Sequence, residues 1–247
     1  MQQSEDVAPA ELADAFDRAA RRYDLLTGMN PGYHRHLDAA ARRLAERLTP
    51  APTLLLDLGC GSGSSTAALL RHLPSARVIG IDASAGMLAQ AETKPWPPGV
   101  EFRHLPAQRL ADLDLPPADG VMAAYLLRNI DAADRDAVLT AILAALRPGG
   151  WLVIQEYSVA GRRLADLVWT LVCWLVVIPL SWLVRGSPRL YRYLWRSVRA
   201  FDSTDVVRDR LRRAGFTDIE QLAVTGWQRG ILHTFLARRP DHRPAGS

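Results

Sequence analysis

The feature that most constrains this chain is a glycine-rich loop closing a short apolar run. Thr53-Leu54-Leu55-Leu56-Asp57-Leu58 leads directly into Gly59-Cys60-Gly61-Ser62-Gly63. The run suits a strand buried on both faces of a parallel sheet. The glycines let the backbone turn tightly and approach a ligand closely. Residues 64–72 read as a helix, with Ser64 or Ser65 available as its N-cap. A second apolar run, Arg77-Val78-Ile79-Gly80-Ile81-Asp82, ends in an acid twenty-five residues after Asp57. An acid at that place accepts hydrogen bonds from both hydroxyls of a ribose.

The alternation of strand and helix continues down the chain. Residues 85–92 read as a helix, 100–102 as a third strand and 120–124 as a fourth. A helix over 134–146 is expected to stop at Pro148-Gly149-Gly150, ahead of a fifth strand at 151–154. Residues 203–214 read as a helix with Ser203 as N-cap and Gly215 as its stop. Residues 218–224 and 230–238 read as two final strands. Repeated βα units of this kind predict a doubly wound α/β sheet with right-handed crossovers. Residues 10–48 are helix-like, broken at Gly28-Met29-Asn30-Pro31-Gly32. The predicted organisation is an N-terminal helical cap over 1–50 and a sheet domain over 51–247, with an apolar and basic insert at 160–200.

Two ligand classes use a glycine loop so placed. A dinucleotide site wants G-x-G-x-x-G, but counting from Gly59 puts Ser64 at the third glycine position. The pattern here is D-x-G-x-G-x-G, and Asp57 at the strand tip disfavours a diphosphate and suits a cationic ligand. The bland alternative is a turn that merely connects strand and helix.

Composition narrows the class further. Of 247 residues, 49% are hydrophobic and 23% charged, which excludes a disordered or low-complexity chain. The net charge of +4 sets up no field that demands a nucleic-acid partner. Two cysteines are too few for a disulfide framework, so a reducing compartment is expected. The acidic start Met1-Gln2-Gln3-Ser4-Glu5-Asp6 lacks the apolar core of a signal peptide. His34 and His36 lack further ligands nearby, so no metal site is expected. Lys94 is the chain's lone lysine, which leaves little scope for a lysine base.

The Asp57–Gly63 loop resembles motif I of class I S-adenosylmethionine-dependent methyltransferases. Further stretches are similar to the ubiquinone/menaquinone biosynthesis C-methyltransferase family: Tyr23-Asp24, Gly32-Tyr33-His34-Arg35, Leu126-Leu127-Arg128-Asn129-Ile130, Leu146-Arg147-Pro148-Gly149-Gly150, and Tyr191-Arg192-Tyr193-Leu194 with Ser197-Val198-Arg199. The resemblance runs from about residue 13 to 238 and implies a seven-stranded Rossmann-like methyltransferase sheet, with the insert between strands five and six. It implies S-adenosylmethionine as cofactor. Gly59, Gly61, Ser62 and Gly63 would line its methionine end, and Asp57 would face its ammonium group. Asp82 would hold the ribose, Met87 cover the adenine, and Ala107 and Gln108 sit by the adenine amine. Ala124 joins this set at a position that is often Ser, and Tyr23 and His34 would come from the cap. Pro106 and Leu126 depart from the family's usual Asn or Asp and Gly, and Leu126 narrows the pocket floor.

Methyl transfer to an aromatic carbon needs a phenol that has lost its proton, so the site must stabilise a phenolate or remove a proton. Arg128, after strand four, is the expected electrostatic anchor, because a guanidinium stays protonated. Asn129 is placed to hydrogen-bond a ring oxygen, and Glu156 or Tyr157 to complete a proton path. His34 is a further catalytic candidate. The bland readings are a surface ion pair of Arg128 with Asp131 or Asp134, a solvated or merely packed Glu156 and Tyr157, and a packed His233.

The insert carries eighteen residues without a charge, Leu167 to Val184, and Pro179 lies among them. A membrane crossing there would part the last strands from their own sheet, so a lid or an interfacial anchor is expected instead. Arg185, Arg189, Arg192, Arg196 and Arg199 follow at spacings of four and three, one face of a helix that suits an anionic membrane surface. The expectation is a cytoplasmic protein, peripheral at the inner membrane face, that methylates a lipophilic aromatic acceptor at carbon; a homodimer fits it equally. Oxygen or nitrogen transfer to a small natural product is the first rival. A non-catalytic cofactor-binding or membrane-surface protein is the second, and an oxidoreductase the weakest.

Overall fold

In the computed structural model, residues 32–48, 53–179 and 188–241 are described. The sheet grows outward from β1 (Leu54–Leu58), all five residues of which are buried. Successive side chains point to opposite faces of a strand. Leu54, Leu56 and Leu58 therefore join one core cluster and Leu55 the other. The remaining strands are β2 (Arg77–Asp82), β3 (Val100–His104), β4 (Ala118–Ala124), β5 (Leu146–Tyr157), β6 (Thr217–Ala223) and β7 (Leu232–Arg238). They form one seven-stranded sheet in the order β3-β2-β1-β4-β5-β7-β6. The first five run parallel, and β7 is antiparallel to both β5 and β6.

Helices cover both faces, as parallel strands buried on both sides require. α1 (Tyr33–Ala45) turns Tyr33, His36, Leu37, Ala40, Ala41 and Leu44 inward, the spacing of one apolar stripe. It packs on the second cluster with α2 (Ser64–His72). α3 (Ala85–Glu92) follows β2, and α4 (Arg135–Ala145) and α7 (Thr204–Arg213) cover the first cluster. The insert consists of α5 (Arg163–Val172), which continues into a π turn at Cys173–Val177, and α6 (Pro188–Ala200). The described part of the expected cap is α1. Tyr23, Arg185 and residues 180–184 lie outside the described residues.

Several sequence expectations are corrected here. Gly63, not Ser64 or Ser65, caps α2, and neither serine makes a side-chain cap bond there. The hydroxyls of Ser65 and Thr66 are taken instead by the carboxylate of Asp57, at 2.7 and 2.6 Å. β5 starts five residues early, because Pro148-Gly149-Gly150 pairs with the tail beyond β7: Gly149 donates to the Arg239 carbonyl and Arg239 to that of Gly150. Among the described residues, no helix is long and apolar enough to cross a membrane.

Two buried aspartates mark opposite ends of the sheet. Asp119, at the start of β4, accepts from the amides of Thr53 and Leu54 at 2.7 and 3.0 Å, from the Thr53 hydroxyl, and from Arg147. Burial works against its charge, but these donors outweigh it and hold the carboxyl below its ordinary range. Asp57, at the end of β1, is fully buried, and its second oxygen has no partner. Burial pushes its carboxyl up to about 6, against the pull of the Thr66 and Ser65 hydroxyls.

The two carry opposite expectations. Asp119→Ala leaves the buried amide of Leu54, the part-buried amide of Thr53 and Arg147 without an acceptor, and should cost about 2–4 kcal/mol in urea unfolding. Asp57 binds a proton more tightly folded than unfolded, so its ionisation lowers stability as pH rises from about 4 to 6. Asp57→Asn removes that slope. It should stabilise the ligand-free protein by up to about 3 kcal/mol at pH above 7, with the gain vanishing near pH 4.

Candidate active site

The sheet order places the switch in strand direction of growth between β1 and β4. Loops leaving the carboxyl ends of those two strands diverge and open a crevice between them. A cavity of about 370 Å³ lies there, lined on one side by the glycine loop and on the other by the segment after β4.

The glycine loop is tied back to β2. The amides of Gly59 and Cys60 donate to the Ile81 carbonyl at 2.8 and 3.2 Å, and the Gly61 amide donates to Asp82 at 2.8 Å. The other oxygen of Asp82 accepts from the Ser84 amide. Burial raises the Asp82 carboxyl, and the Ser84 and Gly61 amides oppose that rise. Gly61 has φ +53, and a Cβ there would stand 3.1 Å from Met87 Cε at the cavity wall. Gly63 has φ +89, and its Cβ would meet the Trp96 ring at 2.6 Å. Lys94 braces the loop from outside, donating to the Ser62 carbonyl at 2.7 Å. Cys60 lines the cavity, and its thiol is pushed well above its ordinary range by burial and by the carboxylates of Asp57 and Asp82.

The opposite wall begins at a strained residue. Tyr125 has φ +59, a left-handed conformation that side chains rarely adopt. Its ring is clamped between Tyr33 and Tyr157, with centroids 5.2 and 5.1 Å away, and Gln155 donates to its hydroxyl at 2.8 Å. The column continues to Trp169 of α5, 5.3 Å beyond Tyr157. This sharp bend turns Leu127-Arg128-Asn129 over the crevice as a single 3-10 turn.

Arg128 pairs with Glu156, Nε to Oε1 at 3.3 Å, and its amide donates to the same carboxylate. Their side chains are 7% and 1% exposed. The bland alternative, a surface pair with Asp131 or Asp134, gives way to a buried pair, and Glu156 is not solvated. Burial raises the Glu156 carboxyl, with Arg128 pulling the other way. Arg128 also donates to Asn129 Oδ1 at 2.8 Å, and Tyr193 of α6 donates to that oxygen at 3.2 Å.

The structure brings Gly59, Gly61, Ser62, Asp82, Met87, Ala107, Gln108, Ala124, Arg128 and Asn129 to one cavity. Asp57 and Gly63 lie behind the loop rather than on the wall. Glu156 lies beneath Arg128, and Tyr157 beneath Tyr125. His34 is exposed, its edge against Tyr33, and it is Tyr33 that lines the cavity. His233 is buried in β7, as the packed reading expects, and burial and Arg162 push it down to about 4. Sequence reasoning missed Tyr33, Tyr125 and Tyr193 as site residues. Tyr33 and Tyr193 stood inside the stretches that carried the resemblance, whereas nothing local marked Tyr125.

The residues fit S-adenosylmethionine. The unpartnered oxygen of Asp57 supplies negative charge beneath the loop that a cationic ligand would meet, and Gly61 leaves open the space a Cβ would take.

Comparison with known proteins agrees. The ubiE/COQ5 methyltransferase family profile matches residues 2–236. The demethylmenaquinone methyltransferase of Thermus thermophilus is 33% identical over 213 residues, which is 85% of this chain and 95% of that protein. The ubiquinone/menaquinone biosynthesis C-methyltransferase UbiE of Desulfotalea psychrophila is 31% identical over 206 residues, 83% of this chain and 81% of that protein. Among solved structures, the N-methyltransferase NodS of Bradyrhizobium japonicum, in complex with S-adenosyl-L-homocysteine, superposes with a TM-score of 0.63 at 18% identity, covering 95% of this chain and all of that one. Phosphoethanolamine N-methyltransferase 2 of Haemonchus contortus gives 0.64 at 18% identity, covering 95% of this chain and 60% of that one. Those structures establish the fold. With the glycine loop, the acid that ends β2 and the matched length taken together, the chain belongs to the ubiE/COQ5 methyltransferase family and is an S-adenosylmethionine-dependent methyltransferase.

Proposed function

We propose that this enzyme methylates a ring carbon of a lipophilic quinol of the demethylmenaquinol class. One observation carries the reading. The cavity that holds the glycine loop and Asp82 also holds Arg128 and Asn129, with Glu156 buried beneath them. Donor and acceptor ends of a methyl transfer thus share one enclosure, and holding two reactants in line lowers a barrier by about 7–11 kcal/mol.

Bound S-adenosylmethionine supplies an electrophilic methyl on a positively charged sulfur. Asp82 would accept from its ribose hydroxyls, and Gly59, Gly61 and Ser62 would border its methionine end. Asp57 would meet its cationic end from below, which would offset the cost of burying that carboxylate. Met87, Ala107 and Gln108 would flank the adenine, and Ala124 would close the floor. Arg128 holds the acceptor's phenolate oxygen and Asn129 its neighbour. The guanidinium favours the ionised phenol, and so raises electron density at the adjacent carbon. The methyl that the cofactor would supply would join that carbon, its sulfonium leaving as a neutral thioether, and the ring carbon's proton would pass to water. Glu156 is a positioning residue: it fixes Arg128 and is itself kept from the cavity.

A second reading, oxygen transfer to a smaller phenol, is favoured by Leu126. Its Cδ1 would stand 3.0 Å from a Cβ at Gly59, so it fills space directly above the loop. For the quinol reading, residues 1–50 act as a cap, 51–247 as the catalytic domain and 160–200 as a lid. The acceptor's tail lies in a bilayer, and the enzyme works as a cytoplasmic protein at the inner membrane face.

Labelled methyl transfer to demethylmenaquinol tests the reading. The expected product carries a new carbon-bound methyl by NMR; an O-methyl product, or no transfer to any quinol, overturns it. Asp82→Ala should weaken S-adenosylmethionine binding by about ten- to a hundredfold in calorimetry, from the loss of charge-assisted hydrogen bonds. Arg128→Ala should lower kcat by about a hundred- to a thousandfold with cofactor affinity unchanged. Because it strands Glu156, the double variant Arg128→Met with Glu156→Gln serves as the folded control.

A further inference from the structure

Among the described residues, most of the exposed large apolar side chains gather on the outer face of the insert. On α5 and its π turn, Leu164, Leu167, Leu171, Trp174, Leu175 and Val176 are all exposed, from 46% for Trp174 to 74% for Leu164. Leu164, Leu167, Leu171 and Leu175 recur at spacings of three and four, so they form one stripe along the helix. The opposite face is already used: Trp169 and Cys173 are buried against the sheet domain. Packing on the domain therefore explains only the inner half of this apolar helix. An outer stripe of this size marks an interaction site.

α6 lies alongside. The Trp195 indole donates to the Thr170 hydroxyl at 3.2 Å, Trp174 meets Trp195 edge-on at 5.7 Å, and Arg199 bonds Asp166 at 2.6 Å. These contacts join the helices flank to flank. The outward residues of α6 are Arg192, Arg196 and Arg199. Residues 160–200 contain seven arginines and one aspartate, a net charge of +6. The whole chain carries +4, so the rest of the protein is slightly negative. Of these arginines, Arg192 and Arg196 are exposed on the helix that flanks the apolar stripe, and the segment's single acid, Asp166, is already paired with Arg199.

We infer that the outer faces of α5 and α6 form a docking surface for an anionic lipid bilayer. An apolar stripe with tryptophan at its edge and arginines along one side matches the boundary between acyl chains and acidic headgroups. A protein partner of ordinary polarity would leave either the leucines or the arginines uncompensated. The inference rests on the lipophilic acceptor proposed above and gives that acceptor a route. Tyr193, on α6, bonds Asn129 at the cavity, so the docked helix borders the place where the quinol ring must arrive. The ring enters while its tail stays in lipid.

Flotation with phosphatidylcholine vesicles, with and without phosphatidylglycerol, tests this on the full chain. The protein should float with phosphatidylglycerol at low salt, and lose binding at high salt or on neutral vesicles. Each surface arginine contributes about fivefold, so Arg192→Ser with Arg196→Ser should weaken binding by about twenty-fivefold. Leu167→Ser with Leu171→Ser should abolish it. Neither pair lines the cavity, so both should leave S-adenosylmethionine binding unchanged in calorimetry. Failure of the wild type to float at low salt overturns the inference. So does equal binding to neutral vesicles, or a leucine pair that dissolves a dimer by light scattering and leaves vesicle binding intact. Flotation without methyl transfer to any quinol would instead overturn the proposed acceptor and leave the docking surface standing.

Discussion

The cavity exists because the loop after β1 is bonded to the end of β2. Three consecutive amides, those of Gly59, Cys60 and Gly61, donate to the Ile81 carbonyl and the Asp82 carboxylate. That tie holds the glycine loop open against α3 rather than letting it collapse into the crevice. It also occupies one oxygen of Asp82 on each side with an amide, which aims the carboxylate and keeps it from turning into solvent. Lys94 and Trp96 press on the same loop from outside. The loop is therefore preorganised, and cofactor binding need not order it.

The other wall is held by a different economy. Tyr125 bends the chain in an unfavourable conformation, and such a bend persists only where the surroundings over-determine it. Here the surroundings are three further aromatic rings and a buried glutamine. The bend sets Arg128 above Glu156, a buried pair whose members are costly to strand and whose mutual attraction gives the guanidinium a single orientation. Stability is spent on geometry at both walls, on the strained Tyr125 bend here and on the buried Asp57 carboxylate beneath the glycine loop.

Most of this architecture is legible in the residues themselves, for identifiable reasons. The Asp57–Gly63 loop and Asp82 are readable because their spacing is set by one βαβ unit. β5 is misjudged at its start because Pro148-Gly149-Gly150 looks like a stop, and only pairing with Arg239, some ninety residues later, makes it strand. Ser65 looks like a cap because a local reading cannot see that Asp57 claims its hydroxyl from below. Arg128 invites a partner three or six residues away and finds one twenty-eight residues away in the neighbouring strand. Tyr33 is preferred to His34 at the cavity by the rotation of α1, which two adjacent letters do not reveal. In each case the missing information is a tertiary contact.

Cys60 is the one cysteine on the cavity wall, and burial beside two carboxylates keeps it a thiol. Quinones are electrophiles that add to thiolates, and any quinol enzyme meets the oxidised form of its own substrate. Neutral sulfur adds far more slowly than anionic sulfur. On the proposed quinol reading, that burial and those two acids shield the enzyme from covalent addition by the oxidised form of its own acceptor.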